Sequence, residues 1–194
     1  MLLSDLDILK RLVDPDPSRR IIITPLIDPL AQTGPSSLDV RLGLGFKVPV
    51  TSHLPSIDPY SRPSIAAQYM REIELPIGEP LYLHPGEFVL ASTLEYLHVP
   101  HDLGCRLEGR SSWGRLGLLV HATAGFIDPG YSGNVTFELY NAGRLPIQLK
   151  PGSRMAQLCF MSLQTPPKIP YNRRPESKYN QLLTAEPSRI WRDK

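Results

Sequence analysis

Breakers limit what this chain can build: 21 prolines and 14 glycines are spread through its 194 residues. Proline removes a backbone donor and clashes inside a helix, and glycine weakens helix and strand interiors, so long regular elements have little room. Between the breakers lie short runs rich in β-branched and aliphatic residues, such as Ile21–Thr24, Val40–Leu44 and Phe88–Ala91. That pattern predicts an all-β sandwich or barrel. One short helix is expected at the amino end. There Ser4 and Asp7 have the spacing of a capping box, with Asp in place of Glu, ahead of Leu6, Ile8, Leu9 and Leu12. The proline-rich DPDPS (14–18) ends it. Residues 51–72 read as a long excursion with one helical turn near Ala66–Met70. From Thr165 onward the chain is polar and proline-bearing, which predicts a mobile tail. No internal repeat or low-complexity tract is present, and the length suits one well-buried core.

Composition narrows the function. A net charge of +2 gives no general affinity for nucleic acid or membrane, so an anionic ligand would need local arginines and lysines. No apolar run approaches membrane-spanning length, and the first residues alternate charge with leucine, so a cytoplasmic protein is expected. The two cysteines, Cys105 and Cys159, cannot form a disulfide framework. His98, His101 and Cys105 lie close together, but no second ligand cluster follows, and the segment reads as a connection between strands. A zinc deaminase of the cytidine type needs H-x-E and P-C-x-x-C. None of the five histidines has a glutamate two residues on, and there is no C-x-x-C.

Chemistry concentrates between Glu108 and Asn141. Gly109 to Gly117 offers the hydroxyls of Ser111 and Ser112, the guanidiniums of Arg110 and Arg115, and three glycines. Arginine forks recognise phosphate oxygens, and glycines let backbone N–H groups approach an anion. Read alone, the segment is also consistent with a polar surface loop. Gly125 to Gly133 then sets one acid, Asp128, and one aromatic, Tyr131, in a tight turn. The next residues alternate at period two. Val135, Phe137 and Leu139 share one face of a strand, while Thr136, Glu138 and Tyr140 share the other.

This region resembles the dCTP deaminases, which share a superfamily with the trimeric dUTPases. The likeness begins at MLLSDLDI and continues through PSSLDVRLG (35–43) and LYLHPGEFVLASTLE (81–95). It resumes after the central block in PGSRMAQL (151–158), PYNRR (170–174) and SKYNQ (177–181). It implies a dUTPase-like distorted β-barrel or jelly roll, a single domain over residues 1–194, with residues 165–194 a tail closing over the nucleotide. It also implies a homotrimer with sites between subunits, and zinc-independent deamination of dCTP to dUTP and ammonia.

By the resemblance, Glu138 matches the general base and acid, Ser111 and the Ala124 carbonyl position the attacking water, and Arg115 supports the glutamate. That chemistry asks for a carboxylate with its pKa held near neutrality in a partly dry pocket. The run Arg110, Ser111, Ser112, Trp113, Gly114 and Arg115 matches the phosphate-contacting loop. Asp128 matches the acid on the 3′-hydroxyl, and Tyr131 the aromatic against the deoxyribose. Thr136 and Phe137 match the strand that reads the base. Tyr171 and Lys178 match tail residues that close over the triphosphate. The family's glutamine falls four residues after that lysine, where this chain has Leu182, with Gln181 one earlier. Magnesium is expected on the triphosphate. The resemblance also implies feedback inhibition by dTTP, which these residues neither support nor exclude.

Where the reaction stops divides the family. Members that also hydrolyse dUTP to dUMP and diphosphate carry Gly-Phe at the positions of Gly125 and Phe126, and TAGFIDPG is their wording. The surrounding pattern resembles the dUTPase motif whose aspartate activates water, which would make Asp128 a second base. The PYNRR tail resembles the members that release dUTP. The bifunctional reading is preferred, with a monofunctional deaminase as the alternative. A plain dUTPase would leave Glu138 and Arg115 without purpose, and a non-catalytic nucleotide-binding regulator would leave the set Ser111, Arg115 and Glu138 unused.

Overall fold

A computed structural model describes residues 1–50, 54–60 and 69–193. The chain begins with helix α1 (Asp5–Leu12), whose N-cap is Ser4. The Ser4 hydroxyl oxygen accepts from the Asp7 N–H at 3.3 Å, and the hydroxyl donates to the Asp7 carboxylate at 3.0 Å. The shorter acid therefore grips the cap's hydroxyl, whereas the glutamate of a full capping box reaches the cap's backbone N–H. Ile8 anchors the helix in the core.

The remainder is mainly β, as the punctuation predicts. In order follow β1 (Ile22–Thr24), the helical turn α2 (Pro29–Gln32), β2 (Thr33–Gly34), β3 (Ser37–Pro49), β4 (Met70–Glu74), β5 (Leu81–Leu83) and β6 (Phe88–His98). Then come β7 (Leu103–Gly109), β8 (Leu118–Leu119), β9 (Phe126–Ile127), β10 (Ser132–Asn141), β11 (Ile147–Leu149) and β12 (Arg154–Ser162). The expected turn near Ala66–Met70 falls mostly outside the described residues, and Met70 itself opens β4.

Among the described residues the main sheet runs β8-β10-β6-β3-β12-β7-β9, with β1 beside β6 and with β2 and β4 beside β3; β5 pairs β11 separately. Strand β3 joins the two halves of the sheet. Its first residues pair with β12 and β2, and its later ones pair with β6 and β4, with a register shift between Leu42 and Phe46. Beside that shift the Arg41 N–H donates to the Glu95 carboxylate at 2.7 Å, and the Arg41 guanidinium pairs with the same group at 3.2 Å. Glu95 is almost wholly buried. Burial pushes its carboxyl up, and the bonds from Arg41 oppose that shift. A charge this deep is tolerable only with such partners.

The strands place their alternate apolar residues inward. Leu38, Val40, Leu42, Phe46, Leu107, Phe137, Leu139, Leu158 and Phe160 lie in one core. Full burial of each side chain contributes about 1.5–3 kcal/mol. That core fixes β10, β12 and the first half of β3, which carry the groups described next.

Candidate active site

Strand β10 presents Glu138. Val135, Phe137 and Leu139 are buried, while Thr136 and Glu138 on the other face are half-buried. The strand is paired with β6 on one side and β8 on the other. The Glu138 N–H donates to the Val120 carbonyl at 3.0 Å, and its carboxylate accepts from the Ala122 N–H at 2.8 Å. One carboxylate oxygen is thus tied to the segment that leads to Ala124. Among the described residues no hydrogen bond reaches the other oxygen, which leaves it able to exchange a proton with a ligand or water.

The segment expected to be a polar loop is a helical turn, Ser111–Gly114. The Gly114 N–H reaches the Arg110 carbonyl at 3.2 Å, and the Arg115 N–H reaches that of Ser111 at 3.0 Å. Trp113 is why the turn forms here. Its ring packs against the core, and its indole N–H donates to the Arg154 carbonyl at 2.8 Å. Ser111, Ser112, Gly114 and Arg115 remain exposed. Beside the turn opens a cleft of about 430 Å³ whose walls include Arg110, Ser111, Ser112, Asp39, Arg154 and Gln157. Two guanidiniums and the hydroxyls of Thr33, Ser37, Ser111 and Ser112 in one concavity suit an anion.

A third neighbourhood joins the Asp128 turn to the tail. The Tyr131 N–H donates to the Asp128 carbonyl at 3.1 Å, and the Tyr131 hydroxyl donates to that of Asn134 at 2.8 Å. Burial pushes the Tyr131 phenol far above its usual range. The Tyr171 ring lies 5.9 Å from that of Tyr131, and the Tyr171 N–H donates to the Pro129 carbonyl at 2.8 Å. Further along, the Gln181 N–H donates to the Ser132 carbonyl at 2.6 Å, and the Asn134 N–H donates to that of Leu182 at 2.8 Å. The tail fits because Gly133 has no side chain. Its φ is +140°, and a Cβ there would sit 2.8 Å from the Leu182 carbonyl oxygen. Lys178 is ion-paired with Asp193.

Residues 2–163 match the dCTP deaminase-like family. The chain belongs to that family. It is 47% identical over 172 residues to the "dCTP deaminase, dUMP-forming" of Methanobrevibacter smithii, covering 88% of each chain. It is 43% identical over 193 residues to the "dCTP deaminase" of Halorubrum lacusprofundi, covering 100% of this chain and 93% of the other. The fold is that of the solved 2′-deoxycytidine 5′-triphosphate deaminase of Agrobacterium tumefaciens, with a TM-score of 0.62 and 24% identity. That match covers 84% of this chain and 48% of the other, so this chain spans about half the length of that protein.

For a dCTP deaminase-like chain, the predicted residues fall into three groups within one copy. Glu138 and Thr136 share a face with the Ala122–Ala124 connection. Arg110, Ser111 and Ser112 share the cleft, and Asp128, Tyr131 and Tyr171 share the turn. Phe137 is fully buried, so its side chain cannot touch a ligand on the Glu138 face. Trp113 likewise turns inward and holds the turn in place. Lys178 and Gln181 lie on the tail with Asp193 and Ser132 as partners, apart from the cleft walls. Gly125 is buried. A Cβ there would meet the Leu107 carbonyl oxygen at 3.0 Å and His121 Nε2 at 3.1 Å, whereas Phe126 is exposed.

Cleft residues without a role in the sequence include Asp39, Arg154 and Gln157. Asp39 stood in SLDVRLG as an acid sharing one strand face with Ser37 and Arg41, which was the available signal. The histidine–cysteine cluster does not assemble a site. His98 Nδ1 lies 2.8 Å from the Ser132 hydroxyl, and Cys105 is buried in the core, where burial pushes its thiol well up. Among the described residues no group of three or more metal-ligating side chains forms, and no helix is long and apolar enough to cross a membrane.

Proposed function

We propose that this chain deaminates dCTP to dUTP and ammonia without zinc, and then hydrolyses dUTP to dUMP and diphosphate in the same site. The observation that carries the reading is Glu138, half-buried on a doubly paired strand with one oxygen held by the Ala122 N–H. A carboxylate so fixed is oriented for general acid–base work. Glu138 takes a proton from water as the oxygen attacks C4 of cytosine. It passes that proton to N3, then moves the proton of the new C4 hydroxyl to the amino group, which leaves as ammonia as the C4 carbonyl forms. Ser111 and the Ala124 carbonyl hold the water, and Arg115 steadies the developing charge.

The second step is supported by the Gly125–Phe126 pair and by Asp128, exposed on its turn. Asp128 would draw a proton from a second water as that water attacks the phosphate chain, with diphosphate leaving. Asp128 and Tyr131 would also hold the deoxyribose, and Tyr131 would exclude a 2′-hydroxyl. The cleft of Arg110, Ser111 and Ser112 would take the phosphates. Its donors suit phosphate oxygens better than a cation, so magnesium would arrive on the triphosphate through phosphate oxygens and waters. The cleft walls of one copy include neither Glu138 nor Asp128, and a homotrimer would let a neighbouring copy bring these groups together. Tyr171, Lys178 and Gln181 would then close over the nucleotide.

Product analysis tests the reading. Purified protein with dCTP and magnesium should yield dUMP and diphosphate with little free dUTP, and Asp128→Asn should stop at dUTP. Accumulation of dUTP by the unaltered protein would establish the monofunctional alternative and reduce Asp128 to a sugar contact. Absence of ammonia release would sink the proposal.

A further inference from the structure

We infer that Asp39 is a positioning residue for the phosphate cleft, bridging Arg110 and Arg154, and that Arg154 supplies the cleft with its second guanidinium. The inference rests on reading that cleft as the phosphate site. Asp39 lies on β3 opposite Gln157 of β12, with 9% of its surface exposed. A carboxylate this buried needs partners, and both are arginines reaching one oxygen. Arg110 Nε lies 3.4 Å from Asp39 Oδ2, and Arg154 Nη1 lies 3.3 Å from the same atom. Burial pushes the Asp39 carboxyl up, while Arg110, Arg154 and Arg41 pull it back.

Among the described residues, donors remain free on both arginines. Arg110 is held through Nε, so its two terminal nitrogens are not used by Asp39. Arg154 is held through Nη1, which also donates to the Ala31 carbonyl at 2.6 Å, so its other nitrogens remain available. Both guanidiniums line the cleft beside Ser111 and Ser112. A guanidinium pinned at one end presents its remaining N–H fork in a fixed direction, which bidentate phosphate recognition requires. The Trp113 indole N–H on the Arg154 carbonyl couples the helical turn to β12, so the two arginines are carried on one body.

Charge alone predicts the opposite of positioning. Replacing Asp39 by asparagine removes a negative charge beside an anion site, and simple attraction would then tighten binding. If Asp39 acts by orientation, the released arginines bind more weakly despite the added charge. Titration calorimetry of the full chain with inorganic tripolyphosphate decides between them, because that ligand has neither base nor sugar. Asp39→Asn is expected to weaken binding about tenfold, and Arg154→Gln by a similar factor. Adding Asp39→Asn to an Arg110→Gln, Arg154→Gln background should change little further. With dCTP, Asp39→Asn should raise KM about tenfold while leaving kcat within about threefold.

Unchanged or tighter tripolyphosphate binding by a folded Asp39→Asn protein would overturn the positioning role. Unchanged binding by Arg154→Gln would overturn the second guanidinium, and decides the matter should Asp39→Asn not fold. No tripolyphosphate binding by the unaltered protein would sink the inference, while deamination, read separately as ammonia release, would leave the proposed function standing.

Discussion

Strand β10 and the carboxyl-terminal tail both carry residues matched to the nucleotide, but they are held in different ways. Strand β10 is hydrogen-bonded to β6 and β8 and drives Val135, Phe137 and Leu139 into the core. Glu138 can move little without disturbing that packing. The tail is held by backbone bonds to Pro129, Ser132 and Asn134, by the Asn180 side chain accepting from the Ser132 N–H at 3.0 Å, by the Tyr131–Tyr171 ring contact and by the bare surface of Gly133. Proton transfer depends on placement within fractions of an ångström, and Glu138, proposed to perform it, sits on the rigid element. The proposed closure over a substrate needs an element that can leave and return, and the residues proposed for it sit on the tail.

That difference can be broken from either side. On the strand side, Phe137→Ala opens a cavity beneath Glu138 and should lower stability by about 3–5 kcal/mol, read as a fall in the thermal midpoint. A change under about 1 kcal/mol would mean the strand is not anchored by its buried face. On the tail side the expected effect is smaller. Gly133→Ala forces a Cβ against the Leu182 backbone in a conformation that side chains rarely adopt. It should raise KM for dCTP roughly tenfold and speed tryptic cleavage at Arg173 and Lys178, with a smaller fall in the thermal midpoint than Phe137→Ala. Equal loss of stability in both variants would erase the distinction between rigid strand and replaceable tail.

What was legible in the sequence follows the same division. The alternation from Val135 to Tyr140 is local, so the inward and outward faces of β10 could be read directly. Ser4 and Asp7 marked the start of α1 for the same reason. The helical turn at Ser111–Gly114 was not legible, because its anchor, the Trp113 indole on the Arg154 carbonyl, lies 41 residues away in sequence. Asp39, Arg154 and Gln157 were hidden likewise. They meet because β3 and β12 are neighbours in the sheet, and no local pattern encodes that pairing. The tail's composition predicted mobility and gave no sign of its docking, since its seat is built from Gly130 and Gly133 of the central block. Gly130 has φ +84°, and a Cβ there would press on Pro170 and Asn172.

The measurement that bears most directly on the account is ammonia release from dCTP by Glu138→Gln, with nucleotide affinity determined in parallel. Glutamine keeps the shape and can still accept the Ala122 N–H, but it cannot shuttle a proton. Deamination should fall by about a thousandfold while dCTP affinity stays within a few-fold of the unaltered protein. Turnover near the original rate would remove Glu138 from the chemistry and contradict the central claim that strand β10 holds the proton-transferring group.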